Sequence, residues 1–141
     1  MKKSMLYMMM PVLLFLGCTD DPQENTPTVT KPDSIDGLWN LVAITSSIDK
    51  PGFKYHMGDI NWTFAEEKNQ VDVKNHIKSS DFSGMKSGSY NFKIAENTSK
   101  DCPKLLTVRD KDGIGGCLTI ANDTLTVHNA YAGHYNLIFV R

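Results

Sequence analysis

Ile60-Asn61-Trp62-Thr63-Phe64-Ala65-Glu66-Glu67-Lys68-Asn69-Gln70-Val71-Asp72-Val73 is the stretch whose reading decides the fold. Large apolar side chains stand at 60, 62 and 64, and again at 71 and 73, with small or polar residues between them. Successive side chains on a strand point to opposite faces, so a period of two marks a strand buried on one side. Glu66 to Gln70 breaks the alternation with polar, turn-forming residues, and two strands joined by so short a link must run antiparallel.

The same pattern extends in both directions. Trp39 and Leu41 precede it; Tyr90, Phe92 and Ile94, then Leu106 and Val108, Leu118 and Ile120, Leu125 and Val127, and Tyr135, Leu137 and Phe139 follow. Turn composition separates them at Ser79 to Gly88, Asp110 to Gly116 and the tight Asn122-Asp123. Eight short strands with no amphipathic helix to cover a parallel sheet predict an all-β domain, an eight-stranded antiparallel up-and-down barrel. Closure removes exposed edges; a β-sandwich is the alternative, since periodicity does not reveal closure. With Trp39 and Leu41 inward, Val42 and Ile44 should point outward beside Ile138 and Val140, an aliphatic seam for a covering loop or a partner chain. The link from Ser46 to Gly58 carries Ile48, Phe53, Tyr55, His56 and Met57. It is expected either to plug a barrel mouth or to present an aromatic contact surface.

The N-terminus has a different character. Lys2 and Lys3 precede an apolar run from Met5 to Leu16, which is the layout of a secretory signal and too short for a membrane span. Leu14-Phe15-Leu16-Gly17-Cys18 resembles the lipobox of bacterial lipoprotein precursors, with the small residue that family requires at Gly17. The resemblance implies removal of residues 1–17, acylation of Cys18 and anchorage in the outer membrane, facing the periplasm or the cell surface. Residues 18–34 carry Pro22, Pro27 and Pro32 among threonines and acids, a composition that buries too little apolar surface to offset its ordering entropy. They are expected to form a tether for a domain spanning 35–141. The acids directly after Cys18 resemble export signals of surface lipoproteins.

Gly37-Leu38-Trp39 at the opening strand resembles the Gly-x-Trp signature of lipocalins, and Tyr135-Asn136-Leu137-Ile138-Phe139-Val140-Arg141 resembles the closing strand of bacterial lipocalin-like domains. The resemblance covers about 105 residues. It implies that Arg141, in register with Tyr135, Leu137 and Phe139, packs across Trp39 as a structural pair worth roughly 0.5–2 kcal/mol. It also implies carriage of a small hydrophobic molecule. Two departures are that the chain stops at its last strand, without the family's C-terminal helix, and that no Thr-Asp-Tyr signature is found.

Chemistry-bearing patterns are sparse. Of the three cysteines, Cys102 and Cys117 remain for a disulfide once Cys18 is acylated, and an extracytoplasmic compartment permits one. Their positions, before one strand and at the start of the next, do not form an obvious cross-strand pair, so two separate buried thiols stay open. His56, His76, His128 and His134 lack metal-ligand spacing. No nucleophile elbow occurs, and Gly113-Ile114-Gly115-Gly116 lacks the lysine and helix of a phosphate loop. Asp59, Glu66, Glu67, Asp110 and Asp112 fall in or beside turns. No cofactor, metal or catalytic residue is expected. After residue 17 the chain has thirteen Lys/Arg against sixteen Asp/Glu, which argues against a nucleic-acid partner.

The expectation is a non-enzymatic binding module at the membrane. Trp39, Trp62, Phe64, Tyr90, Phe92, Tyr135 and Phe139 either line a pocket for a small apolar ligand or fill the core, in which case an envelope protein would be met by the outer wall. The alternative is a surface accessory or inhibitor protein acting through loops such as Asp81 to Gly88.

Overall fold

The computed structural model describes residues 33–46, 52–78, 84–109, 113–130 and 135–141. The signal, Cys18 and nearly all of the tether lie outside the described residues, as do Asp110, Asp112, His134 and the beginning of the Asp81 to Gly88 loop. Nine strands are described: β1 (Gly37–Ser46), β2 (Phe53–Lys54), β3 (Ile60–Ala65), β4 (Gln70–Asn75), β5 (Gly88–Glu96), β6 (Lys104–Val108), β7 (Ile114–Ala121), β8 (Thr124–Asn129) and β9 (Tyr135–Val140). All pairings are antiparallel. The order β1-β3-β4-β5-β6-β7-β8-β9 closes through a β1–β9 pairing. The result is an eight-stranded barrel, with β2 added against β1 beyond the reach of β3.

Local chemistry accounts for the tight links. Asn69 adopts φ 51° and ψ 38° after a 3-10 turn at Glu66–Lys68 and returns its N–H to the Glu66 carbonyl at 3.0 Å. Asn122 takes φ 54° in the two-residue link between β7 and β8. Asparagine tolerates this left-handed region far better than branched residues do.

The inward face follows the period-two reading almost everywhere. Trp62 pairs with Val73, Phe64 with Val71, Phe92 with Val108, and Leu125 with Phe139, and all eight are buried. The exception is β1, where the register shifts between Leu41 and Ala43. One extra residue in a strand inverts the alternation beyond it. Ile44 therefore turns inward, fully buried opposite Leu137, contrary to the expected outward seam. Val42, Ile138 and Val140 stay half-buried outside.

The link after β1 is split in its role. Phe53 pairs with Ile44 and, with Tyr55, packs half-buried against the core, whereas Met57 is 57% exposed. Asn40, a buried polar residue on the outer face, ties this region down. Its Oδ1 accepts from the Gly58 N–H at 3.1 Å and from Asn61 Nδ2 at 2.9 Å, and its Nδ2 donates to the Val140 carbonyl at 3.4 Å. Satisfied in this way, the amide costs little to bury.

Gly116 and Gly115 offer a contrast in packing. A Cβ on Gly116 would stand 2.2 Å from the His128 carbonyl oxygen, whereas one on Gly115 would meet nothing nearer than 3.7 Å. Gly116→Ala should therefore lower stability by about 1–3 kcal/mol, as overpacking does. Gly115→Ala should stay within about 0.5 kcal/mol of the wild type. Urea unfolding of the two variants checks this, and equal midpoints would refute the close approach at Gly116.

Candidate functional site: a groove at the barrel end where β1 begins

The barrel interior is packed with aromatic rings. Trp62 lies 5.1 Å from Phe139 and 5.9 Å from Phe64, centroid to centroid, and Phe64 meets Phe92 edge-on at 5.2 Å. Trp39, Trp62, Phe64, Phe92 and Phe139 are each no more than 5% exposed. Such separations are those of rings in contact, so Trp62, Phe64, Phe92 and Phe139 occupy the barrel's cross-section themselves. Tyr90 and Tyr135 are half-buried and packed against this core. The Tyr90 hydroxyl donates to the Lys86 carbonyl at 2.9 Å, and its ring lines a notch of about 400 Å³ with Ser89, Asn91 and Arg109.

The end where β1 starts is crossed by Ser34, Ile35 and Asp36. Trp39 Nε1 donates to the Ile35 carbonyl at 2.7 Å, and Arg141 Nη2 donates to the Ser34 carbonyl at 2.6 Å. The Arg141 guanidinium lies 4.2 Å from the centroid of the Trp39 ring. Asp36 Oδ1 accepts from the Glu66 N–H at 2.5 Å, capping a 3-10 turn whose own cap residue, Ala65, has no side-chain acceptor. These bonds hold Ile35 in the core at 2% exposure.

Beside this strap lies a groove of about 660 Å³ lined by Asp33, Ile35, Glu66, Ile94, Glu96, Asp101, Pro103, Lys104, Leu118, Thr119 and Ile120. Its floor is apolar: Ile35 and Leu118 are buried, and Ile94 and Ile120 are half-buried. Its rim is acidic, with exposed Asp33, Glu66, Glu96 and Asp101 against one exposed lysine, Lys104. None of the seven aromatic residues singled out as pocket-lining in the sequence borders it.

One wall is stapled. The β5–β6 connection folds back on itself through Asn97 N–H to the Pro103 carbonyl at 2.8 Å and Cys102 N–H to the Ser99 carbonyl at 3.3 Å. Cys102 forms a disulfide with Cys117, their Cα atoms 5.5 Å apart. Across the strands Cys117 faces Leu105, so the bridge is not a ladder pair; Cys102 reaches it because the connection doubles back. This answers the spacing objection read from the sequence. Cys102 sits between groove residues Asp101 and Pro103, and Cys117 adjoins Leu118, so the staple sets the position of that wall.

The remaining sequence candidates are dispersed. His56, His76 and His128 are exposed, and among the described residues no three His, Cys, Asp or Glu are grouped to hold a metal ion. Of the turn carboxylates among the described residues only Glu66 borders the groove; Asp59 instead accepts from the His56 N–H at 2.8 Å. The sequence carried a weak trace of the groove, because Ile94 and Ile120 lie near the ends of their strands in the same alternation as the buried Phe92 and Leu118, and Glu96 continues that face on β5. The strap that completes it depends on contacts between residues 34 and 141, which no local pattern encodes. Comparison with protein-family models, curated proteins and solved structures finds no match to this chain.

Proposed function

We propose that this protein is a membrane-anchored extracytoplasmic binding module of lipocalin-like build, held by lipid on Cys18, that receives a small ligand in the end groove. The observation that carries the reading is the groove itself, about 660 Å³ on an apolar floor, within the size range of small-molecule sites. The interior aromatic rings pack on one another, which favours the barrel end over the barrel centre as the place of binding. The basic head, apolar run and Gly17-Cys18 junction of the N-terminus support the anchor. A tether of polar, proline-bearing composition suits a domain that must meet its ligand off the membrane surface.

Two measurements test the reading. Cys18→Ala should move the protein from the membrane fraction to the soluble extracytoplasmic fraction; unchanged membrane association would remove the lipid anchor. A small-molecule library followed through the backbone amides of the full chain should yield binders that shift Ile94, Leu118 and Ile120. Ile120→Trp, which fills the groove, should weaken those binders at least tenfold while unfolding at the wild-type denaturant midpoint. Binders whose shifts centre on Trp62 and Phe139 would return the site to the barrel interior.

A further inference from the structure

We infer that the groove selects a small amphipathic cation, an aliphatic body carrying an ammonium group; this rests on the groove being the binding site proposed above. Ile94 and Ile120, half-buried, present hydrocarbon to the groove, above the buried Ile35 and Leu118. A ligand that removes such a surface from water gains in proportion to the apolar area covered. The rim then decides which end groups are accepted. Four carboxylates, from Asp33, Glu66, Glu96 and Asp101, stand around it against the single ammonium of Lys104. They reach it from separate parts of the fold: the N-terminal strap, the 3-10 turn after β3, the end of β5 and the β5–β6 connection.

The arrangement favours an organic cation over a metal ion. A divalent metal demands several oxygen ligands at one point, and among the described residues no three carboxylates are grouped that way. A ring of dispersed carboxylates around an apolar floor instead stabilises a diffuse positive charge at the mouth while the hydrocarbon lies below. An anion of the same shape meets four carboxylates at the rim against one ammonium, and such opposition is a source of selectivity. Lys104, the cross-strand neighbour of Glu96, offsets one carboxylate and leaves the balance negative.

The test titrates the full chain with octylammonium, octanol, octanoate and 1,4-diaminobutane, following backbone amide shifts. Octylammonium is expected to shift Ile94, Leu118 and Ile120 and to bind at least tenfold more tightly than octanoate. Its affinity should fall as salt rises from 20 to 500 mM, since exposed charges are screened. Glu96→Gln combined with Asp101→Asn should weaken octylammonium about tenfold and leave octanol unchanged, with the unfolding midpoint confirming that the variant is folded. Equal binding of the three octyl probes at those amides would overturn the cation preference while leaving the groove as a binding site. Binding of diaminobutane as tight as that of octylammonium would overturn the role of the apolar floor. If no probe moves those amides, both this inference and the groove reading fail.

Discussion

Replacing Trp39 by Ala is expected to lower the stability of the barrel by about 3–5 kcal/mol, the range for truncating a large, fully buried aromatic side chain. Trp39 has no exposed surface, and its ring does more than fill space. The indole N–H donates to the Ile35 carbonyl at 2.7 Å, and the ring carries the Arg141 guanidinium at 4.2 Å. Truncation leaves the Ile35 carbonyl without its donor and Arg141 without its platform. The strap from Ser34 to Asp36 then loses two of its attachments together, and unpaired buried polar groups carry their own desolvation cost. Urea unfolding followed by far-ultraviolet circular dichroism gives the number, and a loss under about 1 kcal/mol would refute this account.

The other tryptophan supplies the control. Trp62 Nε1 is buried with no hydrogen-bond partner among the described residues. Trp62→Phe therefore removes ring volume and an unpaired donor at once, whereas Trp39→Phe removes ring volume and a made hydrogen bond. The variant at 39 should be the less stable of the two, by about 1 kcal/mol, the net worth of a typical hydrogen bond. The opposite order would mean that the Trp39 bond does not hold the strap.

Removing the disulfide, with Cys102→Ser and Cys117→Ser together, is expected to cost about 3 kcal/mol, the chain-entropy value for a closed loop of about fifteen residues. The two cysteines are 15 apart in sequence. Most of that stabilisation acts on the unfolded chain, but a local effect is also expected. The connection that bears Asp101 and Pro103 would keep only its internal backbone bonds, Asn97 to Pro103 and Cys102 to Ser99. Its exchange of amide hydrogens should quicken more than that of the β1–β9 seam. A double variant with the wild-type denaturation midpoint would show that the bridge contributes no stability. Unchanged exchange in residues 97–103 would show that the bridge does not hold the wall of the groove.

The particular elements show why some features were legible and others were not. The β3–β4 hairpin was readable in its strands and in the place of its turn, since Ile60, Trp62 and Phe64 alternate, polar residues follow Ala65, and Val71 and Val73 resume the face; the 3-10 turn closed by Asn69 was not. Its information is local: side-chain parity and turn composition. Strand β1 was readable only as far as Leu41. The bulge beyond it depends on pairing with β9, some hundred residues away, and it sends Ile44 inward against the parity of the sequence. Strand β2 escaped notice for the same reason, since two residues form a strand only because the second half of β1 leaves an edge free for them.

What the sequence by itself determined is the eight strands of the barrel, most of the side chains that face the core, and the antiparallel order. These follow from period-two alternation and turn chemistry within a few residues. The tertiary structure decided the closure of the sheet, the inversion at Ile44, the strap bonded to Trp39 and Arg141, the route by which Cys102 reaches Cys117, and the groove that these features enclose. Each depends on contacts between residues distant in the chain, whose energies exist only once the barrel has closed and brought both partners to the same end.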